Sequence, residues 1–172
     1  MDSLWLKVTI PIVVAVLAWV LKTSKERKSV GVAIHAEMSA LVEIAKVREY
    51  QEGFLEYASE LQKVPIDKRK PIKLFVPIPD HYCRVYAGNI QQLGLLDADE
   101  APLVVRFYQY VDSVVRDVSE GGVLFEGTDD PDSFTAAYLM IDQAFDLERE
   151  LTQLRNTKRE APWYKRLWRI VG

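Results

Sequence analysis

The chain has 172 residues, of which 49% are hydrophobic and 27% charged, a balance typical of a folded protein and not of a disordered one. Its single cysteine excludes an intramolecular disulfide framework. Charge is unevenly distributed: residues 29–157 hold 12 of the 22 basic and 22 of the 25 acidic residues, a net charge of −10, whereas both ends are basic. Because an acidic body repels phosphate backbones, we expect no nucleic-acid partner.

The N-terminal run from Leu4 to Leu21 (LWLKVTIPIVVAVLAWVL) contains a single charged residue, Lys7. As a helix it is about 26 Å long, close to the bilayer core of about 30 Å. Trp5 and Trp19 lie near its ends, where indole rings favour the headgroup region. A buried core helix and a cleaved signal peptide are the alternatives, but the small-residue cleavage site is missing. The run therefore predicts an uncleaved transmembrane helix, with Trp5, Trp19 and Lys22 in contact with the membrane.

The charges that flank this run predict its orientation. Residues 22–28 hold four cations and one anion, whereas one lysine and one aspartate precede Val8. By the positive-inside rule the chain is a single-pass membrane protein whose bulk lies in the cytoplasm. The lone Cys83 agrees with a reducing compartment. We divide the chain into an anchor with a basic flank (1–28), an acidic helical bundle (29–157) and a basic aromatic tail (158–172).

Helical spacing dominates the body. The stretch from Val30 to about Lys63 lacks proline and predicts one long helix, weakened at Gly53. Its apolar face is formed by Ile34, Met38, Leu41, Ile44, Val47, Tyr50, Phe54, Tyr57 and Leu61. Four prolines between Val64 and Pro79 then exclude a regular helix, and we interpret this segment as an extended connector lying on the bundle.

Three further helices are predicted after the connector. Asp80 can cap a helix that ends at Gly94, and Asp97 with Glu100 resembles a capping box ahead of the next helix. That helix carries a stripe formed by Val104, Phe107, Val111, Val114 and Val118. The last helix begins at Asp130-Pro131 and buries Phe134, Ala137, Tyr138, Ile141, Ala144, Phe145, Leu147, Leu151 and Leu154. The sequence predicts an all-α fold, in which an N-terminal transmembrane helix precedes an antiparallel bundle of about four helices.

Residue patterns for catalysis or metal binding are absent from the sequence. The two histidines, His35 and His81, lie in no metal-binding motif, and the acids at 129, 130 and 132 lack the calcium-loop pattern. No nucleophile elbow and no glycine-rich phosphate loop occurs. Asp142 and Asp146 lie opposite the apolar stripe of their helix, which favours solvated surface over an acid–base pair. We therefore expect no enzyme activity, no cofactor and no metal.

Aromatic residues leave a ligand pocket open as an alternative. The set consists of Tyr82, Tyr86, Phe107, Tyr108 and Tyr110. These side chains either line an apolar pocket with their hydroxyls or pack their rings into the core. Around them the segment VYAGNIQQLGLLDADEAPLVVRFY, residues 85–108, resembles a pattern in small bacterial single-span membrane proteins with a helical cytoplasmic domain of unassigned function. The resemblance covers about 25 residues and implies no activity.

The C-terminal tail is predicted to be amphipathic. On a helical wheel its apolar residues share an arc of roughly 160°. They are Trp163, Tyr164, Leu167, Trp168, Ile170 and Val171, whereas Lys165, Arg166 and Arg169 lie opposite. This pattern is typical of a helix in a membrane interface, and we expect contact through Trp163, Leu167, Trp168, Arg166 and Arg169. The alternative is an end cap packed on the bundle.

Together these features predict a membrane-tethered, non-enzymatic helical scaffold or partner-binding module. Its expected partners are the anionic inner leaflet of the bilayer and a protein, which is either another protein or a second copy of the chain. The alternative function is a membrane-associated enzyme or lipid-binding domain with its pocket among the tyrosine-bearing helices.

Overall fold

A computed structural model describes the backbone of residues 3–160 and the side chains of residues 12–160. Its helices are α1 (Ser3–Val47), α2 (Tyr50–Gln62), α3 (Arg84–Asn89), α4 (Ala101–Val118), α5 (Val123–Glu126) and α6 (Pro131–Glu160). Two 3-10 turns cover Ile66–Lys68 and Ile90–Leu95. Over this described part the chain forms no β-strand, and its only β-type pairing is an isolated bridge between Ile72 and Thr128. The predicted all-α fold is confirmed.

Helices α4 and α6 pack along each other and supply much of the core. The predicted stripe of α4 is buried at Val104, Phe107, Val114 and Val118, whereas Val111 is only half-buried. The predicted face of α6 is buried as well, at Phe134, Ala137, Ile141, Ala144, Phe145, Leu147 and Leu151. Asp130 caps α6, because its carboxylate accepts hydrogen bonds from the Asp132 N–H and the Ser133 hydroxyl, both at 3.1 Å.

The prediction of one helix from Val30 to Lys63 is wrong at one point. The chain breaks between α1 and α2, where Glu49 takes a left-handed conformation (φ 54°, ψ 38°). The break turns α2 back onto α6, so that Phe54, Ala58 and Leu61 reach the core. Since α1 ends here, Val47 is 77% exposed instead of lying on the buried face.

Two predicted caps are also wrong. Helix α3 begins at Arg84 and not at Asp80, and no side chain of its own segment caps it. Helix α4 begins at Ala101 without a side-chain cap, since the Asp97 carboxylate instead accepts a hydrogen bond from Lys158 at 2.6 Å. At the start of α4 the Asp97 backbone carbonyl accepts hydrogen bonds from the N–H groups of Glu100 and Ala101, at 2.9 and 3.1 Å.

The segment after α2 is an extended connector, as predicted. Ile72 exchanges two backbone hydrogen bonds with Thr128, of 2.9 and 3.1 Å, and the Leu74 N–H donates to the Leu124 carbonyl at 2.8 Å. These bonds hold the connector against the loop around α5, whose Leu124 is fully buried. The following residues 76–79, Val-Pro-Ile-Pro, lie across the bundle, and we call them the proline strap.

Between residues 12 and 160, no helix is both long and apolar enough to cross a membrane. Helix α1 is continuous from Ser3 to Val47, and its backbone includes the whole apolar run, residues 4–21. Its first core residue is Val30, which is 7% exposed.

We predict that Glu49→Gly stabilises the fold by roughly 0.5–1 kcal/mol. A left-handed conformation costs a residue with a Cβ about 1–2 kcal/mol, and the greater freedom of glycine in the unfolded chain offsets part of the gain. Urea unfolding followed by circular dichroism measures the difference. The matched control is Glu52→Gly, which lies within α2 and is expected to lose about 1 kcal/mol. A loss of stability in Glu49→Gly would contradict the assigned backbone conformation.

Candidate functional site

The principal cavity of the described chain is an apolar groove of about 290 Å³ between α1, α2, α4, α6 and the proline strap. Its volume is near the lower end of the range of roughly 300–1,000 Å³ for small-molecule sites. The groove residues are Leu41, Val42, Ile44, Ala45, Arg48, Tyr50, Phe54, Val76, Pro77, Ile78, Pro79, Tyr82, Phe107, Val111, Val114, Val115, Val118, Ile141, Ala144 and Phe145.

The groove lies between the last turns of α1, from Leu41 to Arg48, and helix α4. Residues 76–79 form its outer wall. Although this segment is not helical, its proline rings and branched side chains provide apolar surface. Phe107, Val114 and Phe145 form part of the inner wall, and Val111 points into the opening, which explains why it is only half-buried. On the side that faces the empty groove, the apolar groups of this wall have no packing partners.

Three polar side chains border the groove. Within residues 12–160, Arg48 is the one charged residue that lines it, and its Nη1 donates a hydrogen bond to the Tyr50 hydroxyl at 3.2 Å. At the other side the Tyr82 hydroxyl donates a short hydrogen bond to Asp112. Burial and this hydrogen bond raise the pKa of Tyr82, so the phenol stays protonated. Nearby, the Lys46 ammonium lies 5.1 Å from the ring centroid of Phe145, which adds a second cation beside the opening.

The predicted aromatic set divides between the groove and the core. Tyr82 and Phe107 line the groove. Tyr86 and Tyr108 stack beside it, with centroids 3.8 Å apart and planes at 11°. Tyr110 is half-buried against the core. The hydroxyls of this set therefore do not converge on one pocket.

Glu37 of α1 organises the neighbouring helix. Its carboxylate accepts hydrogen bonds of 2.8 Å from the Val85 N–H, the Tyr86 N–H and the Tyr108 hydroxyl. The two backbone donors are the second and third residues of α3, so Glu37 serves as an N-cap from another helix. Burial, with Glu37 next in importance, raises the pKa of Tyr108 above its ordinary value.

A polar seam joins α1 to α6 in antiparallel register. The Ser39 hydroxyl donates to Glu148 at 2.7 Å, His35 Nε2 lies 2.7 Å from the Thr152 hydroxyl, and Arg155 donates to the Gly31 carbonyl at 2.6 Å. Arg155 can approach because position 31 lacks a Cβ, which would lie 2.8 Å from its Nη2. His35 is half-buried in this seam.

The same end of the bundle carries an ion-pair cluster. Arg155 binds Glu100 at 2.7 Å, and Lys158 binds Asp97 and Asp99 at 2.6 Å and Glu100 at 3.1 Å. Burial on its own lowers the pKa of Lys158, but the hydrogen bonds to its three carboxylates prevail and raise it. The cluster ties the start of α4 to the end of α6.

The predicted membrane-contact residues fall mostly beyond the described side chains. Trp19 is 66% exposed, and the Lys22 side chain is 76% exposed, 3.9 Å from Glu26. The side chain of Trp5 lies outside the described part, as do Trp163, Leu167, Trp168, Arg166 and Arg169. Among residues 12–160 no group of three His, Cys, Asp or Glu side chains could hold a metal ion. Asp142 accepts a hydrogen bond from Gln51 at 3.2 Å, and Asp146 pairs with Arg149 at 2.5 Å.

Three comparisons with known proteins, against family models, curated sequences and solved structures, find no match. The resemblance of residues 85–108 to single-span proteins stays a prediction.

Some residues important to the groove carried little signal in the sequence. The alternation Val-Pro-Ile-Pro is the only local sign of an apolar wall in the proline strap. In the sequence Arg48 and Glu37 resemble ordinary surface charges. Glu37 contacts Val85, which lies far along the chain, and Arg48 contacts Tyr50 beyond the turn at Glu49.

We predict that Glu37 and Tyr108 are energetically coupled. Glu37→Ala leaves three donors without an acceptor and should cost about 2–4 kcal/mol, while Tyr108→Phe should cost about 1–1.5 kcal/mol. Because both remove one shared hydrogen bond, the double variant should lose at least about 1 kcal/mol less than the sum. Urea unfolding measures all three, with Glu43→Ala on the exposed face of α1 as control. Strict additivity would refute the shared bond.

We predict that His35 makes the fold less stable in acid. Burial, followed by the positive charge of Arg155, lowers the pKa of His35 below 6.5, against the opposing effect of Glu148 and Glu100. As pH falls below about 6.5 the unfolded chain binds this proton first, so stability present above that pH is lost down to the native pKa. In His35→Gln the fall in unfolding free energy between pH 7 and 5 should be smaller, measured by urea unfolding. The control is His81→Gln at an exposed position, and equal pH dependence in His35→Gln and wild type would sink the assignment.

Proposed function

We propose that this chain is a membrane-tethered, non-enzymatic helical scaffold, anchored by residues 4–21 with its body in the cytoplasm. The observation that carries the proposal is the unbroken helix α1, which joins the apolar run directly to the core of the body. Seven large apolar side chains described within the run are more than half exposed, whereas Val20 is partly buried. The seven are Ile12, Val13, Val14, Val16, Leu17, Trp19 and Leu21. A continuous apolar surface of this kind is stable only when covered, and a bilayer covers all sides of a helix.

The antiparallel register of α1 and α6 supports a second membrane contact by the tail. Gly31 contacts Arg155, His35 contacts Thr152 and Ser39 contacts Glu148. Extrapolated along the two helices, this register brings Glu160 level with about residue 27, roughly 9 Å along α1 from Leu21. Residues 161–172 follow at once, so an interfacial tail would begin near the headgroups.

Charge supports the proposed orientation. The exposed cations Lys25, Arg27 and Lys28 of α1 and Arg159 of α6 belong to the same end of the body. Such residues near an anionic leaflet contribute about 1 kcal/mol each, whereas the acidic remainder of the body is repelled by it. This end of the body would therefore contact the membrane surface. A protein partner or a second copy would bind the parts that face away from it.

The groove supports binding over catalysis. Its polar lining residues are Arg48, Tyr50 and Tyr82, a set without a nucleophile next to a base or a pair of carboxylates. A second function, lipid binding, is favoured by this groove specifically, because its walls are otherwise apolar.

The proposal predicts that one end of the body lies close to the bilayer. We would place single cysteines at Lys28, Val47 or Arg159 in a Cys83→Ser chain, attach a fluorophore, and reconstitute the full chain in lipid discs with nitroxide-labelled headgroups. Position 28 is about 10 Å along α1 from Leu21 and should be strongly quenched, whereas position 47 is about 39 Å away and should not be. Equal quenching at 28 and 47, or none at either, would contradict the tether.

The tail is tested in the same samples. Quenching at position 159 should be strong because the register places it beside position 28, whereas quenching of a label at Gly172 should fall when Trp163 and Trp168 are both changed to Ala, because apolar insertion is lost. Unchanged quenching would favour the alternative in which the tail packs on the bundle. A reporter fused after Gly172 should be active only in its cytoplasmic form.

A further inference from the structure

The groove combines apolar walls with a single positive charge at its edge. Among the twenty described residues that line it, only Arg48 is charged, and none is acidic. This cation stands out in a body that carries a net charge of −10 between residues 29 and 157. Lys46 is a second cation near the groove, since its ammonium lies 5.1 Å from the centroid of the Phe145 ring, which lines the groove.

The dimensions favour a chain-like ligand. A helix is about 10–12 Å wide and needs a far larger volume than 290 Å³ to enter, so a partner helix could lie only on the surface of the groove. An extended hydrocarbon chain instead fits a slot bounded on one side by helices and on the other by the proline strap. Val111 is half-buried along this slot and lacks packing on its exposed side.

We infer that the groove binds a single-chain anionic amphiphile of the fatty-acid class, with its acyl chain between α1, α4 and α6 and its carboxylate on Arg48. Both groups of the ligand then find complementary surface: methylenes meet apolar walls, and the carboxylate meets a guanidinium that can donate two hydrogen bonds. The Tyr50 hydroxyl, which Arg48 already contacts at 3.2 Å, is a further donor for the carboxylate. This inference rests on the second proposed function, lipid binding, and is independent of the membrane tether.

Photolabelling tests the inference on the full chain in phosphatidylcholine discs. The probes are a twelve-carbon fatty acid with a diazirine at mid-chain and the matching fatty alcohol, each mapped on the protein by peptide mass spectrometry. The acid should label α4 between residues 104 and 118, and excess unlabelled dodecanoate should abolish that labelling. Competition by saturated acids should strengthen about fourfold per methylene until the groove is full.

Three variants and one matched control separate the two halves of the inference. Val111→Phe fills the groove and should abolish labelling of α4 by both probes, whereas Val32→Phe, the same change at a side chain 56% exposed on α1, should leave it intact. Arg48→Gln should weaken binding of the acid about fivefold, as for an exposed charge pair, without affecting the alcohol. Arg48→Lys should keep most of the preference for the acid. Circular dichroism confirms folding, and Arg48, at an exposed position, keeps the test valid if Val111→Phe misfolds.

The outcomes are distinguishable. Labelling confined to residues 4–21, or labelling of α4 that survives Val111→Phe in a folded chain, overturns the groove as a lipid site. Groove labelling by acid and alcohol alike, unchanged in Arg48→Gln, overturns the anionic headgroup while leaving apolar ligand binding in place.

Discussion

The polar seam between α1 and α6 is the constraint on which the rest of the structure depends. Apolar packing alone is non-directional and would tolerate helices sliding past one another. Hydrogen bonds from Ser39, His35 and Arg155 penalise any other register, since a shift would leave partly buried polar groups without partners. The ion pairs of Arg155 and Lys158 extend this restraint to the start of α4, so one cluster aligns three helices.

The groove is a consequence of this alignment. The seam holds α1 against α6 at Gly31, His35 and Ser39, and the groove begins beyond it, between the last turns of α1, from Leu41 to Arg48, and α4. Two elements complete the assembly in different ways. Near Glu37, α3 and Tyr108 fill the space between the helices and are tied there by hydrogen bonds. Further along, only the thin proline strap covers the gap, and an apolar slot remains. The same packing of helices therefore gives a filled, stabilising contact near Glu37 and an accessible volume in the groove.

Much of the helical framework could be predicted from the sequence, because periodic stripes depend on local spacing. The faces of α4 and α6 and the cap at Asp130 follow directly from it. The break at Glu49 could not be predicted, since a left-handed residue that is not glycine has no local signature. Glu37, which caps α3, lies 48 positions from Val85 in the sequence, and His35 lies 117 positions from Thr152, its partner in the seam. Such contacts exist only after the helices meet. The groove belongs to this class, because no single segment encodes an empty space.

Helix α1 is at once the stem that leaves the body and one wall of the groove. Its hydrogen-bonded backbone is continuous from Ser3 to Val47, so it behaves as a stiff rod about 67 Å long. A rod has no joint at which motion is lost. The polar seam with α6 opposes an axial shift of this rod, but a tilt imposed on its first turns would be transmitted past the seam to Leu41 and Arg48, which line the groove. The geometry of the groove is thus mechanically coupled to whatever holds the other end of the rod.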